Sequence, residues 1–478
     1  MKLHYIKEPF LEFGRGTHIC PRTGITEYDV YDTKLRIRRE RVFLGAVGTS
    51  DMLSKLYSWL EKCSQPIPPQ KDSKQPNLRV PFCGFTTDWG FRSSLVIDEE
   101  ITRTLNHSDI NEVLRIKDWN ARVDAAVDLY YRQAKFLAQN RVVDVIACVI
   151  STKLYDRISA PEIAPVEEIL EDNEDKQADD DLEINFRRAL KAKAMHLGKP
   201  LQIVREASLE STAKGQQDDA TKAWNLCTAL YYKTNQTVPW KLVTNINRPS
   251  VCFVGVSFYR SRDRKVLNTS LAQIFDELGN NVILQGTPVD IDKNDRRPHL
   301  KANQAYELLK RALTEYEIAL DTSPARLVLH KSSKYSDEEM EGFESAAKEM
   351  RVRKIDFVTV LDSTLRLLRG NEYPAYRGMH VEFDEENHLL YTRGSVEYYR
   401  TYTGKYIPQP LEIRIVKSDE SPSVICQEIL GLTKMNWNNT QFDGKYPITL
   451  GCARKVGQVM KYLGPDDDHP QISYSFYM

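Results

Sequence analysis

The chain lacks the features that would send it to a membrane, through a secretory pathway or onto a structural metal. No run approaches about 18 consecutive apolar residues, and the N-terminus MKLHYIKEPF has neither the apolar stretch nor the small-residue cleavage site of a signal peptide. A cytoplasmic protein with no membrane partner is expected. The eight cysteines form no CxxC pair, and several sit in apolar runs such as VIACVI and VCFVGV. They read as buried free thiols rather than disulfides or zinc ligands. Gly45-x-x-Gly48 lacks the third glycine of a dinucleotide fingerprint, and no acidic residue ends a second strand at the required distance, so it reads as a structural βα turn. A small-molecule enzyme of the dinucleotide-binding kind would have to work from that turn.

Excess charge of one sign is also missing, since the formal net charge is -1 over 478 residues. A nucleic-acid partner normally leaves a basic footprint. The average conceals an uneven distribution: residues 162–183 hold eleven carboxylates and one lysine, leaving the remainder net positive. That run is expected to be a solvated linker or insertion, with competition for a neighbouring basic channel as the second reading.

What is present is ordinary globular material, 41% apolar and long enough for two or more domains. Residues 41–63 read as strand, turn and amphipathic helix, with Thr49 or Ser50 as N-cap. Residues 120–140 put Val123, Val127, Tyr130 or Tyr131, Ala134 and Leu137 on one helical face, followed by a buried strand over 142–151. This alternation predicts an α/β fold with a parallel, doubly wound sheet. The stretch 64–77 reads as a surface loop. After the acidic run, helices are expected over 184–198 and 219–233, with strand-like LQIV between them. A second α/β unit begins at 251, with strands over 251–260, 281–286, 325–330 and 354–361, helices over 302–320 and from about 337, and a last helix near 449–462. Ser336 and Glu339 predict a capping box.

Candidate chemistry concentrates between Arg187 and Ser257. Arg187 and Lys191 are one helical turn apart, so they face one way and can close on a phosphate-like anion. Gln202 lies on the following strand, and Lys233 in the last turn of the next helix. Each has a plain alternative, as solvated helix face, strand-end polar residue or dipole-favoured charge. His330 beside Lys331 has no acidic partner in the KSSKY turn and reads as structural. Tyr398, Tyr399, Tyr402 and Tyr406 with Arg400 and Lys405 fit either stacking along a nucleic-acid channel or a half-exposed β-surface.

In order, spacing and flanks, Arg187, Lys191, Gln202 and Lys233 resemble the guide-phosphate pocket of the Argonaute family. The segments IKEPFLEFGRGTHICPRTGITEYDVYD, YYKTNQTVPWKL and LTKMNWNNTQFDGKYPITLGCARKVG resemble the family's opening segment, its junction into the PIWI domain and its final strand and helix. The chain resembles in particular the short prokaryotic Argonautes built only of MID and PIWI domains. The resemblance implies a Rossmann-like MID domain over 1–245, including the acidic insert, and an RNase H-like PIWI domain over 246–478. Cleaving members hold two divalent metals on carboxylates. Here the matching positions are Ser257, Ser332 or Ser333, and Arg454, with Asp276 or Glu277 left for the remaining one, so no catalytic activity is expected. A shifted alignment recruiting Asp263, Asp290 or Asp337 is the alternative.

The resemblance further implies a 5′-phosphorylated guide RNA, a complementary target DNA and a role in prokaryotic immunity. It also implies an obligate partner carrying an APAZ region fused to a sirtuin-like, TIR or nuclease effector, with target pairing as the signal and possible oligomerisation on the target. Through the same resemblance the carboxylate of Met478 would share a Mg2+ with the guide phosphate. The alternatives are an active guided nuclease and an Argonaute-like scaffold that no longer binds a guide.

Overall fold

The structure is a computed structural model, which describes residues 1–35, 38–69, 77–159, 185–210, 217–235, 237–243, 250–262, 266–274, 281–289, 298–368, 374–402, 407–463 and 471–478. The acidic run 162–183, part of the 64–77 loop, Lys405, Tyr406, Asp263, Asp276, Glu277 and Asp290 lie outside the described residues.

The chain opens on strand β1 (Lys2–Tyr5), whose partner comes more than 370 residues later. A first, all-parallel sheet follows, in which β2 (Arg41–Gly48), β3 (Ser94–Val96), β4 (Val145–Ile150) and β5 (Leu201–Arg205) lie in the order β3-β2-β4-β5 and the short strand Thr102–Thr104 also pairs with β2. Its helices include α1 (Ser50–Cys63), α2 (Trp119–Asn140), α3 (Phe186–Ala194) and α4 (Asp219–Thr234). The unbroken apolar run of β4 follows from its place in the middle. Val145, Ala147 and Val149 face a core shared with Leu56 of α1 and Trp224 of α4, whereas Ile146, Cys148 and Ile150 face one shared with Val127 of α2 and Leu190 of α3. A strand covered on both faces has no polar alternation to show. Of the two tyrosines offered for the α2 face, Tyr130 is the buried one, and its hydroxyl donates to the Val149 carbonyl at 2.7 Å. Gly45 and Gly48 are in strand β2, packed toward Val143 and Val149.

The second sheet has nine strands. Its centre is β6 (Val251–Arg260), β7 (Leu267–Ile274), β8 (Asn281–Val289), β9 (Arg326–Lys331) and β10 (Lys354–Asp362), extended by β11 (Met379–Glu382), β12 (Asn387–Leu390) and β13 (Leu411–Lys417). The order is β1-β11-β12-β13-β10-β9-β6-β7-β8, with β6-β9 and β9-β10 parallel and every other pair antiparallel. The helices α5 (Ala302–Leu320) and α6 (Asp337–Glu349) cover one face and α7 (Ile448–Met460) the other. The capping box of Ser336 and Glu339 opens α6. Strand β7 escapes the hydrophobic pattern because its sequence, LNTSLAQI, is largely polar. A Cβ on Gly255 of β6 would lie 2.3 Å from the Thr449 carbonyl oxygen, so glycine is what lets α7 approach the sheet.

The two sheets share one core. Trp240, fully buried after α4, donates to the Lys434 carbonyl at 3.0 Å, and Trp437 donates back to the Trp240 carbonyl at 3.0 Å while stacking on Tyr232 at 5.0 Å. The N-terminal segment is clamped by Glu8, which accepts from Arg377 at 2.9 Å and is ion-paired with Lys434 at 2.9 Å; both cations have fully buried side chains. All eight cysteines are buried free thiols. No helix among the described residues is long and apolar enough to cross a membrane.

Candidate anion and nucleic-acid site

The four side chains singled out around Arg187 converge. Asn185 starts α3 by accepting the Arg188 amide at 3.2 Å, which fixes the phase of the helix and points Arg187 and Lys191 toward β5 and α4. Lys233, in the last turn of α4, donates to the Gln202 amide oxygen at 2.5 Å, and the Gln202 amide nitrogen donates to the Ile203 carbonyl at 3.2 Å. Lys191 donates to the Tyr477 carbonyl at 3.3 Å. Both lysines are 5% exposed, whereas Arg187 stands at the open rim.

The electrostatics are one-sided. Burial holds the pKa of Lys191 well below its ordinary value, and Arg187, Lys233 and Lys455 push it further down. Lys233 is lowered in the same way by burial and by Arg187. Arg187, though its side chain is exposed, is lowered first by the loss of water around its guanidinium and then by Arg188, with a smaller push from Arg205. Among the described side chains, no carboxylate is among the charges acting most on these three groups. A buried ammonium without a counter-charge costs several kcal/mol, so the arrangement is costly while empty and suited to an anion. The side chains gathered here are cations and one amide, so a Mg2+ shared with a guide phosphate would be held by the phosphate and the terminal carboxylate of Met478 rather than by them. Met478 itself is buried, 2% exposed, next to the carbonyl that Lys191 holds. Sequence reasoning did not pick out Lys455, which reaches the pocket from α7; the only signal was its basic side chain in GCARKVG.

The positions matched to metal-binding carboxylates sit on the second sheet. Ser257 is in β6, 4% exposed; Ser332 and Ser333 follow β9; Arg454 is on α7, its guanidinium 3.9 Å from the centre of the Tyr446 ring. The Tyr446 hydroxyl donates to Asp362 at 2.6 and 2.7 Å, and Lys445 pairs with the same carboxylate at 2.9 Å. Asp337 is exposed in the first turn of α6. Among the described residues no three His, Cys, Asp or Glu side chains are grouped to hold a metal. His330 is fully buried, held by Thr449 at 2.9 Å and pushed down to about 3 by burial, so it stays neutral at physiological pH. Lys331, beside it, forms a buried pair with Glu339 at 2.6 Å. Tyr399 belongs to a small core with Cys20, Val396 and Phe442, which removes it from any channel, while Arg400 next to it is exposed.

No family model and no curated protein matches the sequence. Solved structures do. The chain is similar to Clostridium butyricum Argonaute bound to a guide DNA and a 19-mer target DNA, at 15% identity and a TM-score of 0.68, covering 99% of this chain and 54% of that one. It is similar to Marinitoga piezophila Argonaute in complex with 5′ OH guide RNA, at 12% identity and a TM-score of 0.57, covering 100% and 59%. Drosophila Piwi matches at 12% identity and a TM-score of 0.58, covering 99% and 56%. The chain therefore has the mixed α/β fold with a large sheet seen in Argonaute structures, and it spans a little over half their length.

Proposed function

We propose that this protein binds a 5′-phosphorylated guide oligonucleotide in the Arg187–Lys191–Gln202–Lys233 pocket and pairs it with a complementary target strand, without cutting that target. The observation that carries this is the pair of buried lysines surrounded by further cations and, among the described side chains, acted on by no carboxylate. A terminal phosphate is dianionic near neutral pH and presents several strong acceptors, which fits that deficit. Arg187 at the rim would meet the phosphate first, with Lys191 and Lys233 closing from below and Gln202 held in place by Lys233. Sequence would be read by base pairing, with the protein gripping backbones. The guide and target seen in the similar Argonaute structures support this reading.

In the same reading the first sheet is the Rossmann-like MID unit over about 1–245, and β6 to β10 form an RNase H-like PIWI unit over 246–478. The strand order β8-β7-β6-β9-β10, three antiparallel then two parallel, supports that assignment. A two-metal site needs carboxylates to hold its cations. Ser257 and Ser332 or Ser333 cannot supply them, and Arg454 would repel the metals. The output of target recognition would then pass to an associated APAZ-type effector in prokaryotic defence, with guide RNA and target DNA as the favoured pair.

The test is direct binding of matched 5′-phosphate and 5′-hydroxyl oligonucleotides, as RNA and as DNA. A preference of at least about tenfold for the phosphate is expected, since one charge-assisted contact is worth about 1.5–3 kcal/mol. Equal affinities would remove the anion-site reading.

A further inference from the structure

The short segment 471–478 touches both the anion pocket and the edge of the nine-stranded sheet. At one end, the Ile283 amide of β8 donates to the Ile472 carbonyl at 2.7 Å, and Val282 bridges Ser473 in antiparallel register. The segment thus adds a few residues of pairing to the outer edge of β8, which otherwise ends the sheet. In the middle, Tyr474 is fully buried beside Cys452 of α7, Tyr232 of α4 and Arg187 of α3. At the other end, the Tyr477 hydroxyl donates back to the Gln471 carbonyl at 2.8 Å, closing the segment into a compact loop, and the Tyr477 carbonyl accepts from Lys191 at 3.3 Å. Five peptide bonds separate the carbonyl paired to the sheet edge from the carbonyl held by the pocket.

We propose that residues 471–478 act as a strap that couples occupancy of the anion pocket to the stability of the β7-β8 edge, with the Lys191 contact to Tyr477 as the coupling element. The inference rests on the anion-site reading above. In the empty pocket Lys191 is opposed by Arg187, Lys233 and Lys455 and holds the strap by one long hydrogen bond to a neutral acceptor. A bound phosphate offsets those charges and favours the protonated lysine. With those charges offset, the ammonium can draw closer and give the Tyr477 carbonyl a full charge-assisted hydrogen bond in place of the long one at 3.3 Å. Because the strap is closed on itself and packed through Tyr474, tightening it at Tyr477 limits opening at Ile472, and with it the exposure of the Ile283 amide. The coupling works by shifting the population of a local opening rather than by a change of shape.

Amide hydrogen exchange at single-residue resolution tests this on the full chain, with the Val328 amide in the middle of β9 as the internal reference. A 5′-phosphorylated oligonucleotide is compared with its 5′-hydroxyl counterpart, and affinity is measured on the same samples. The expected result is slowing of exchange at Ile283 by about fivefold with the phosphate, the factor that separates an ordinary from a charge-assisted hydrogen bond, with Val328 unchanged. Lys191→Met, which keeps Arg187, Lys233 and Lys455 to attract the phosphate, should lose the Ile283 response even at saturating ligand. Three results would overturn the strap. If the phosphate binds preferentially and Ile283 does not respond, the coupling is wrong and the anion site stands. If Lys191→Met responds like the wild type, the coupling does not run through Lys191. If phosphate and hydroxyl bind equally, the anion site and the strap fall together.

Discussion

Replacing Lys233 by methionine should stabilise the empty protein and weaken its hold on a 5′ phosphate. The side chain is 5% exposed at the end of α4, among the described residues its ammonium donates to the Gln202 amide oxygen alone, at 2.5 Å, and burial and Arg187 both act against its charge. Methionine has a similar length, needs no counter-charge and fits irregular apolar space. Losing the hydrogen bond to Gln202 costs about 1 kcal/mol, and because Gln202 is half-buried, water can take over as donor. Removing an uncompensated buried charge returns more, since even a paired buried ion is often worth about 1–4 kcal/mol less than a well-packed apolar replacement. A net gain of about 1–3 kcal/mol follows, seen as a rise of a few degrees in Tm. Against this, losing one charge-assisted contact should cost the phosphorylated ligand roughly 10- to 150-fold in affinity, while the 5′-hydroxyl ligand changes little. Calorimetric melting and fluorescence anisotropy measure the two quantities. A variant that melts lower and keeps the wild-type ratio of phosphate to hydroxyl affinities would show that Lys233 is a structural residue, and the argument from unbalanced charge would be refuted.

Protonation gives an independent check. Lys191 and Lys233 have folded pKa values depressed below the unfolded ones, so the unfolded chain binds more protons and stability of the empty protein should rise with pH as it climbs toward the ordinary lysine value of 10.5. Anion binding should raise both values, so the phosphorylated ligand should take up protons on binding at a pH below the ordinary lysine value; titration calorimetry across a range of pH, in buffers of different ionisation enthalpy, would expose a zero uptake. The Glu8 clamp has the same sign in a lower pH window. Its carboxyl is lowered by Arg377 and Lys434 against the cost of burial, so it contributes stability above the ordinary value of 4.5, lost as pH falls toward the depressed one. Glu8→Gln should cost about 3–5 kcal/mol, because it leaves buried cations without their counter-charge, and a melting curve within a degree of wild type would contradict the clamp. Incubation of the guide-loaded chain with a labelled complementary target and Mn2+ or Mg2+ should leave the target intact; a metal-dependent product that disappears with Asp337→Asn would show that the shifted carboxylate alignment was the right one.

Local patterning made much of this protein legible before its fold. VIACVI reads as a central strand because both its faces are covered, α2 is visible in its 3.6-residue period, and the Ser336–Glu339 capping box marks the start of α6. Arg187 and Lys191 share a face by helical spacing alone, while Gln202 and Lys233 were joined to them through the resemblance to the Argonaute pocket in order, spacing and flanks. Three features had no local signature. Strand β7 is polar, and its place is set by pairing with β6 and β8 rather than by its own alternation. Strand β1 is four residues long and finds its partner in β11, at a separation no periodicity reports. The pocket is also lined from a distance, by Lys455 on α7 and by the Tyr477 carbonyl. A sequence records which residues are charged and which face of a helix they share. Whether a charge ends up compensated depends on what the rest of the chain brings to it, and here tertiary packing brought two buried lysines together with further cations and a peptide carbonyl and, among the described side chains, no carboxylate.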